Sequence, residues 1–216
     1  MGELEATECE TPFRHWVIDN AYNIGNQFLV SLPKYSGKWA VYANDHERKR
    51  SCNDLDNLPL SVNVAVKTLL EKEVAQSLCV DFKFDIDGIR GDDTLHGGGL
   101  HVTDPGGFLA PHIDYALHPH IPNMERRLNA ILFLDDWQEQ WGGALCFYDD
   151  MGNKVVTRIY PKRGRLVLWE PTDTSFHGCE VVTGPQSRHT IAVYYLAPAR
   201  PTATRKRALF VPSRSK

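Results

Sequence analysis

The change of periodicity near Val80 constrains this chain more than any other feature. Before it, the run PLSVNVAVKTLLEKEVAQSL sets Val62, Val66, Leu69, Leu70, Val74 and Leu78 near one face, which predicts an amphipathic helix from Pro59 to about Leu78. After it, short alternating and β-branched runs are broken by Gly, Pro and Asp. The expected strands are VDFKFDI (80–86), GGLHVTD (98–104), RLNAILFLD (127–135), GALCFYD (143–149), KVVTRIY (154–160), GRLVLWE (164–170), GCEVVTG (178–184) and HTIAVYYLA (189–197). Short strands so closely spaced, preceded by helices, predict a mainly β protein with flanking helices and a jelly-roll core.

A further helix is expected over 20–32, ending at Pro33, and NDHERKRSCNDLDN (44–57) reads as an exposed connection because it has no periodicity. At 216 residues the chain has room for one domain with a sizeable core. Its expected organisation is a helical and strand support over 1–95, a catalytic core over 96–198 and a basic C-terminal tail over 199–216. Hydrophobic residues at 42% and charged residues at 24% exclude a fully disordered chain.

The longest apolar runs, AILFL (130–134) and RLVLWEP (165–171), fall far short of the roughly 20 residues a membrane helix needs. The start, MGELEATECE, is acidic and reads as neither a secretory signal nor a transit peptide. Ala6 stands where a myristoylation signal wants Ser or Thr. Cys9, Cys52, Cys79, Cys146 and Cys179 are odd in number and show no CxxC pair, so reduced, mostly structural thiols and a cytoplasmic protein are expected. A net charge of −3 makes no case for nucleic acid. The tail is the exception: Arg200, Arg205, Lys206, Arg207, Arg214 and Lys216 occur there without an acid. Such a run could contact phosphate or an acidic partner, and a solvated terminus is the commoner outcome.

The candidate chemistry lies in PHIDYA and TSFHGCEV. On a strand, residues i and i+2 point the same way, so His112 and Asp114 can converge on one ion with Ile113 turned away. His177, from a distant strand, completes one face of an octahedron and leaves three positions open opposite it. Two imidazoles and a carboxylate suit ferrous iron, although affinity alone also admits Mn, Co, Ni or Zn. His189 competes for the third place, with Arg200 eleven residues after it just as Arg188 follows His177. Arg200 falls beyond Ala197-Pro198 in the tail, whereas Arg188 precedes an apolar alternating strand. There Arg188, Thr190, Ala192 and Tyr194 share one face, and His189, Ile191, Val193 and Tyr195 the other. An inward Arg188 beside an inward Thr190 makes an anchor for a carboxylate. His15, His46, His96, His118 and His120 read as surface residues, and His101 as a buried, satisfied one.

The stretches DPGGFLAPHID, RRLNAILFLDDWQEQWGGALCFY and FHGCEVVTGPQSRHTIAVYY, within about residues 98–196, resemble the iron and 2-oxoglutarate dependent dioxygenases, in particular their prolyl-4-hydroxylase-like branch. The resemblance implies a double-stranded β-helix core, His112, Asp114 and His177 as Fe(II) ligands, and Arg188 holding the distal carboxylate of 2-oxoglutarate, with Thr190 as a helping hydroxyl. It implies consumption of dioxygen, release of succinate and CO2, and hydroxylation of a C–H bond, with ascorbate a candidate reductant. Either Arg126 or Arg127 opens the central strand, and Gly142 and Gly143 are expected in a tight positive-φ turn. Two departures bear on the co-substrate: HVTDPGG lacks the tyrosine many relatives place before the HxD turn, and either Asn129 or Phe133 stands where many have a hydroxyl or tyrosine. The substrate is left open among a prolyl residue, a free amino acid and another small metabolite. Loop 116–125 and segment 44–57 are candidate walls or lids. The rival from another class is a metal-binding jelly roll that uses no oxygen, a cupin-like isomerase or a sensor.

Overall fold

A computed structural model describes residues 4–25, 28 and 38–211. Strand accounts for 38% of the described residues and helix for 14%, which places the protein in the mainly β class. Fourteen strands form one curled sheet: β1 (Glu5–Cys9), β2 (His15–Asp19), β3 (Ala40–Ala43), β4 (Glu47–Cys52), β5 (Arg90–Gly91), β6 (Gly99–Thr103), β7 (Phe108–Ile113), β8 (Met124–Phe133), β9 (Leu145–Tyr148), β10 (Val155–Ile159), β11 (Leu166–Trp169), β12 (His177–Cys179), β13 (Arg188–Pro198) and β14 (Leu209–Phe210). The order β1-β2-β11-β8-β13-β6-β4-β7-β12-β9-β10, antiparallel throughout, is that of a sheet rolled into a jelly roll.

The two faces of the sheet have different partners. Ile191, Val193 and Tyr195 of β13, with Leu128, Ala130 and Leu132 of β8, face two helices, α1 (Leu60–Leu70) and α2 (Lys72–Asp81), in the larger core. The hydroxyl of Tyr195 donates to the Leu69 carbonyl at 2.8 Å and fastens sheet to helix. Inside the roll, Phe133, Leu145, Phe147, Ile159, Val167 and Trp169 form a second cluster. Alternation thus sends odd residues of β13 to the helices and even ones into the roll.

Four expectations need correction. The helix of 59–78 is broken at Glu71, whose ψ of 137° is extended. Past the break the buried stripe continues through Ala75 and Cys79 instead of Val74 and Leu78, one residue out of step with a single helix. The strand expected at 80–86 is instead the end of α2 and a turn: Phe82, Phe84 and Ile86 are buried in alternation, but against the helices and without a partner strand. Segment 44–57, expected to be an exposed connection, contains β4, which pairs with β6 and β7. Its residues are polar on both faces, so hydrophobic periodicity had nothing to register. The strand at 178–184 stops at Cys179. Beyond it, Val181 and Val182 exchange backbone hydrogen bonds with loops at Gly143, Gly106 and Gly107.

Of the helix expected over 20–32, residues 20–25 are turn and irregular backbone, and most of the rest lies outside the described residues. His15–Asp19, just before it, is instead a strand that pairs with β11. No helix among the described residues is long and apolar enough to cross a membrane. All five cysteines are free.

Candidate metal centre and co-substrate pocket

β7 and β12 run antiparallel with His112 opposite His177, so the two imidazoles rise side by side, ring centroids 4.3 Å apart. This close approach depends on Gly178, where a Cβ would meet the Leu109 carbonyl oxygen at 2.5 Å. Asp114 follows β7 directly. Its Oδ2 lies 3.5 Å from His177 Nε2, and its Oδ1 lies 3.8 Å from His112 Nε2. One ligand atom from each of the three residues can be chosen so that all lie within 4.8 Å of one another, and all three residues are buried. Each imidazole donates from Nδ1 to a backbone carbonyl at 3.0 Å, His112 to Ala110 and His177 to Ser175. That fixes the tautomer and leaves both Nε2 lone pairs facing the centre. Burial, with His177 alongside, pushes the His112 imidazole down to about 3, so it stays neutral and able to coordinate.

Asp114 is held as an anion. Burial would raise its pKa, but the Arg126 guanidinium, the two imidazoles and the Asn129 amide outweigh that and keep it well below the usual carboxylate range. Arg126 Nη1 is 2.9 Å from Oδ1, and Asn129 Nδ2 donates to Oδ2 at 2.7 Å. Arg126 rather than Arg127 belongs to this site; Arg127 pairs with Glu170 at 2.9 Å. Strict alternation along β8 would put residues 126 and 129 on opposite faces. A bulge, where Tyr195 pairs with Leu128 but Leu196 with Arg126, brings both to the cavity.

The three groups face a cavity of about 480 Å³, whose other walls include Ile131, Leu145, Trp169, Arg188, Thr190 and Tyr194. Arg188 is only 5% exposed and makes no hydrogen bond from its guanidinium among the described residues; its buried Nε has no partner. An unpaired guanidinium at that depth is costly unless an anion joins it. It lies with its Cζ 5.0 Å from the centre of the Phe133 ring. Gly143 (φ +69°) lies beneath its stem, where a Cβ would stand 3.4 Å from Arg188 Cδ. Gly142 (φ +61°) precedes it, in the turn foreseen at Trp-Gly-Gly.

Residues 98–196 match the family model described as the 2OG-Fe(II) oxygenase superfamily. Over that segment, a little under half of its length, the chain is similar to the 2OG-Fe(II) oxygenase superfamily. Among solved structures, a prolyl-4-hydroxylase from Pseudomonas putida superposes with a TM-score of 0.53 at 13% identity, covering 76% of this chain and 78% of that one. HygX from Streptomyces hygroscopicus, with nickel, 2-oxoglutarate and hygromycin B bound, gives a TM-score of 0.52 at 13% identity, over 88% of this chain and 85% of its own. At such identities the likeness establishes the fold. No curated protein sequence matches the chain.

Around this cavity the remaining candidates separate clearly. His189 is turned away from the cluster and sits 3.1 Å from Asp135. Arg200 is engaged by Glu125 and Glu170. His118, expected at the surface, is buried: its Nδ1 accepts from the amides of His120 and Ile121, and its Nε2 lies 3.2 Å from Asp92. His15 is likewise buried, against Phe13 and Phe147. His101 lines the cavity, pushed down to about 3 by burial.

Nothing in the sequence marked Glu47 and Lys49 as cavity-lining side chains, although segment 44–57 is a candidate wall. They project from β4 into the cavity 3.1 Å apart. Pro119 and His120, from the other candidate wall, also line it. The basic tail had been expected to be a solvated terminus. Residues 206–209 are indeed exposed, but Arg205, Phe210 and Val211 are half-buried and tie the segment to residues 111–117 around His112, and only its run of cations gave any hint of a role.

Proposed function

We propose that this cavity is the active site of an Fe(II)- and 2-oxoglutarate-dependent hydroxylase. The observation that carries the reading is a buried Arg188 whose Nε has no hydrogen-bond partner, opening on the same cavity as His112, Asp114 and His177. The two Nε2 atoms and the Asp114 carboxylate would hold the iron on one face. Arg188, with Thr190 beside it on β13, would receive the distal carboxylate of 2-oxoglutarate. Bound together, iron and co-substrate supply the oxidant: 2-oxoglutarate, O2 and R–H give succinate, CO2 and R–OH.

The chain's own residues have definite tasks in that scheme. The Ala110 and Ser175 carbonyls orient the ligand imidazoles. Arg126 and Asn129 keep Asp114 ionised, and Ile131, Leu145 and Trp169 wall the centre from water. Retention of Asp114 favours hydroxylation over halogenation, which needs a vacant place for halide. Arg188 also weighs against a cupin-like isomerase or sensor, which has no call for a buried carboxylate anchor beside the metal. The substrate is a small molecule or a peptide residue, with a prolyl residue, a free amino acid or another small metabolite as candidates. Ascorbate serves as reductant where turnover uncouples. A cytoplasmic setting belongs to the same proposal, supported by five unpaired thiols.

Anaerobic titration with Fe(II) and then 2-oxoglutarate tests the reading. A metal-to-ligand charge-transfer band in the visible is expected, and its absence from correctly folded protein would sink the oxygenase assignment. His112→Ala should abolish 2-oxoglutarate turnover.

A further inference from the structure

The segment after β13 returns to the site and runs antiparallel along the strand that carries the metal pair. Val211 N donates to the Pro111 carbonyl at 2.9 Å; Phe210 lies opposite His112 and Leu209 opposite Ile113. Four residues earlier, the Arg205 carbonyl accepts from the amides of Ala116 and Leu117 at 2.8 and 2.9 Å. The Arg205 side chain reaches back as well: Nε donates to the Asp114 carbonyl at 2.6 Å, and the guanidinium also pairs with Asp173. The Phe210 ring stacks against two imidazoles, His112 at 5.0 Å and His46 at 4.6 Å. Anchored at both ends, residues 206–208 span the cavity mouth, and Lys206, Arg207 and Ala208 line it.

The charges of the cavity do not balance. Its acids are Glu47 and Asp114, and its permanent cations are Lys49, Arg126, Arg188, Lys206 and Arg207. Glu47 is matched by Lys49 at 3.1 Å and Asp114 by Arg126 at 2.9 Å. Arg188 is assigned above to the co-substrate. Lys206 and Arg207 remain, exposed at the mouth, and neither makes an ion pair among the described residues. Two adjacent cations beside a partly desolvated pocket focus a positive field where a second small molecule must enter.

We propose that the segment Arg205–Phe210 is the substrate-facing wall of the active site, and that Lys206 and Arg207 are specificity-determining residues that select a substrate bearing an anionic group, a carboxylate or a phosphate. The proposal rests on the reading of the cavity as a 2-oxoglutarate oxygenase site. Arg205 and Phe210 are positioning residues, which hold the wall against the metal pair.

The experiment measures succinate formation by the full chain at saturating Fe(II) and 2-oxoglutarate with three groups of compounds. A carboxylate arm contains aspartate, glutamate and their short peptides; a phosphate arm contains phosphoserine and phosphoethanolamine; a control arm contains asparagine, glutamine, serine, proline and lysine. One anionic arm should stimulate succinate at least tenfold more than its neutral isosteres, and which arm does so names the group. In Lys206→Ala/Arg207→Ala the KM for that compound should rise at least tenfold. Unstimulated succinate formation and the thermal shift produced by 2-oxoglutarate should stay as in the native chain. Charge reversal, Lys206→Glu/Arg207→Glu, should abolish stimulation by the anion with the thermal shift retained. Preference for neutral or cationic compounds, no stimulation by any compound, or a double variant that behaves like the native chain overturns the proposal. If the native chain neither binds 2-oxoglutarate nor forms succinate, the oxygenase reading fails instead.

Discussion

The guanidinium of Arg126 lies 2.9 Å from the carboxylate of Asp114, and both groups are almost wholly buried. The pair is embedded rather than merely adjacent. Arg126 Cζ is 3.5 Å from the centre of the Tyr194 ring and 3.9 Å from that of Tyr115, so two aromatic faces share its charge.

Removing Arg126 should therefore harm metal binding and folding together. Arg126→Met leaves Asp114 as a buried anion without its nearest countercharge, and breaking such a pair costs roughly 3–5 kcal/mol. Calorimetric titration with Fe(II) or Mn(II) should show affinity down about 10- to 100-fold, the range for losing a group that orients a ligand. Arg126→Lys should not restore it, because an ammonium cannot stack in a planar slot. Native affinity in either variant would contradict this account.

Arg188→Ala should behave in the opposite way toward stability. The guanidinium is buried without an acceptor, so its loss should leave the melting temperature of the ligand-free protein unchanged or raised. Binding of 2-oxoglutarate should weaken at least about 30-fold, corresponding to roughly 2 kcal/mol for an unmatched carboxylate. The thermal shift on adding 2-oxoglutarate reads both effects at once. A retained shift would remove Arg188 from the co-substrate site.

Gly142→Ala is predicted to destabilise severely. The residue has φ +61°, and a Cβ there would meet the Val181 carbonyl oxygen at 2.3 Å. With ψ −144° the residue lies near a region essentially restricted to glycine, which costs any other residue about 1–3 kcal/mol, and the backbone clash adds to that. Urea denaturation should show a lower midpoint with an unchanged slope. By contrast Gly106→Ala, with φ +80° but nothing within 4 Å of its Cβ, should show the conformational cost alone.

Acid should destabilise the protein through its buried histidines. Burial lowers the pKa of His15 and pushes His101 down to about 3, so both are neutral when folded at pH 7. In the unfolded chain they take up a proton near their ordinary pKa of about 6.5. Stability from this source is complete above that value. As pH falls from about 6.5 toward 3 it is progressively lost, because the unfolded state then binds more protons. Denaturant midpoints at pH 7.5, 6 and 5 should decline, less steeply in His101→Gln. A flat profile would show that these imidazoles are not excluded from protonation by the fold.

Six of the seven strands expected from 98 to 197 are present much as drawn, the one at 178–184 being cut short at Cys179, and β13 shows why. Its alternation is strict, with Ile191, Val193 and Tyr195 to the helices and Arg188, Thr190 and Tyr194 to the cavity. A strand with one apolar and one functional face declares both in its pattern. β4 has polar residues on both faces, so it looked like a loop. Arg126 and Asn129 share a face only through a bulge, a matter of register with a neighbour that no single-strand period contains. The residues 205–211 show no alternation, and what places them is pairing with the end of β7 beyond β4, more than ninety positions away in sequence.

By itself the sequence determined the chemistry available and the local geometry that follows from chirality and period: a HxD pair on one side of a strand, an inward arginine and threonine on another, and a glycine turn between. Those facts are properties of a few neighbouring residues and survive whatever the rest of the chain does. Only the tertiary structure decided which histidine stands opposite His112, which arginine neutralises Asp114, and that a basic tail lies across the mouth of the cavity. Each of these is a pairing between distant segments, set by how a curled sheet closes, and closure depends on the whole set of strands at once.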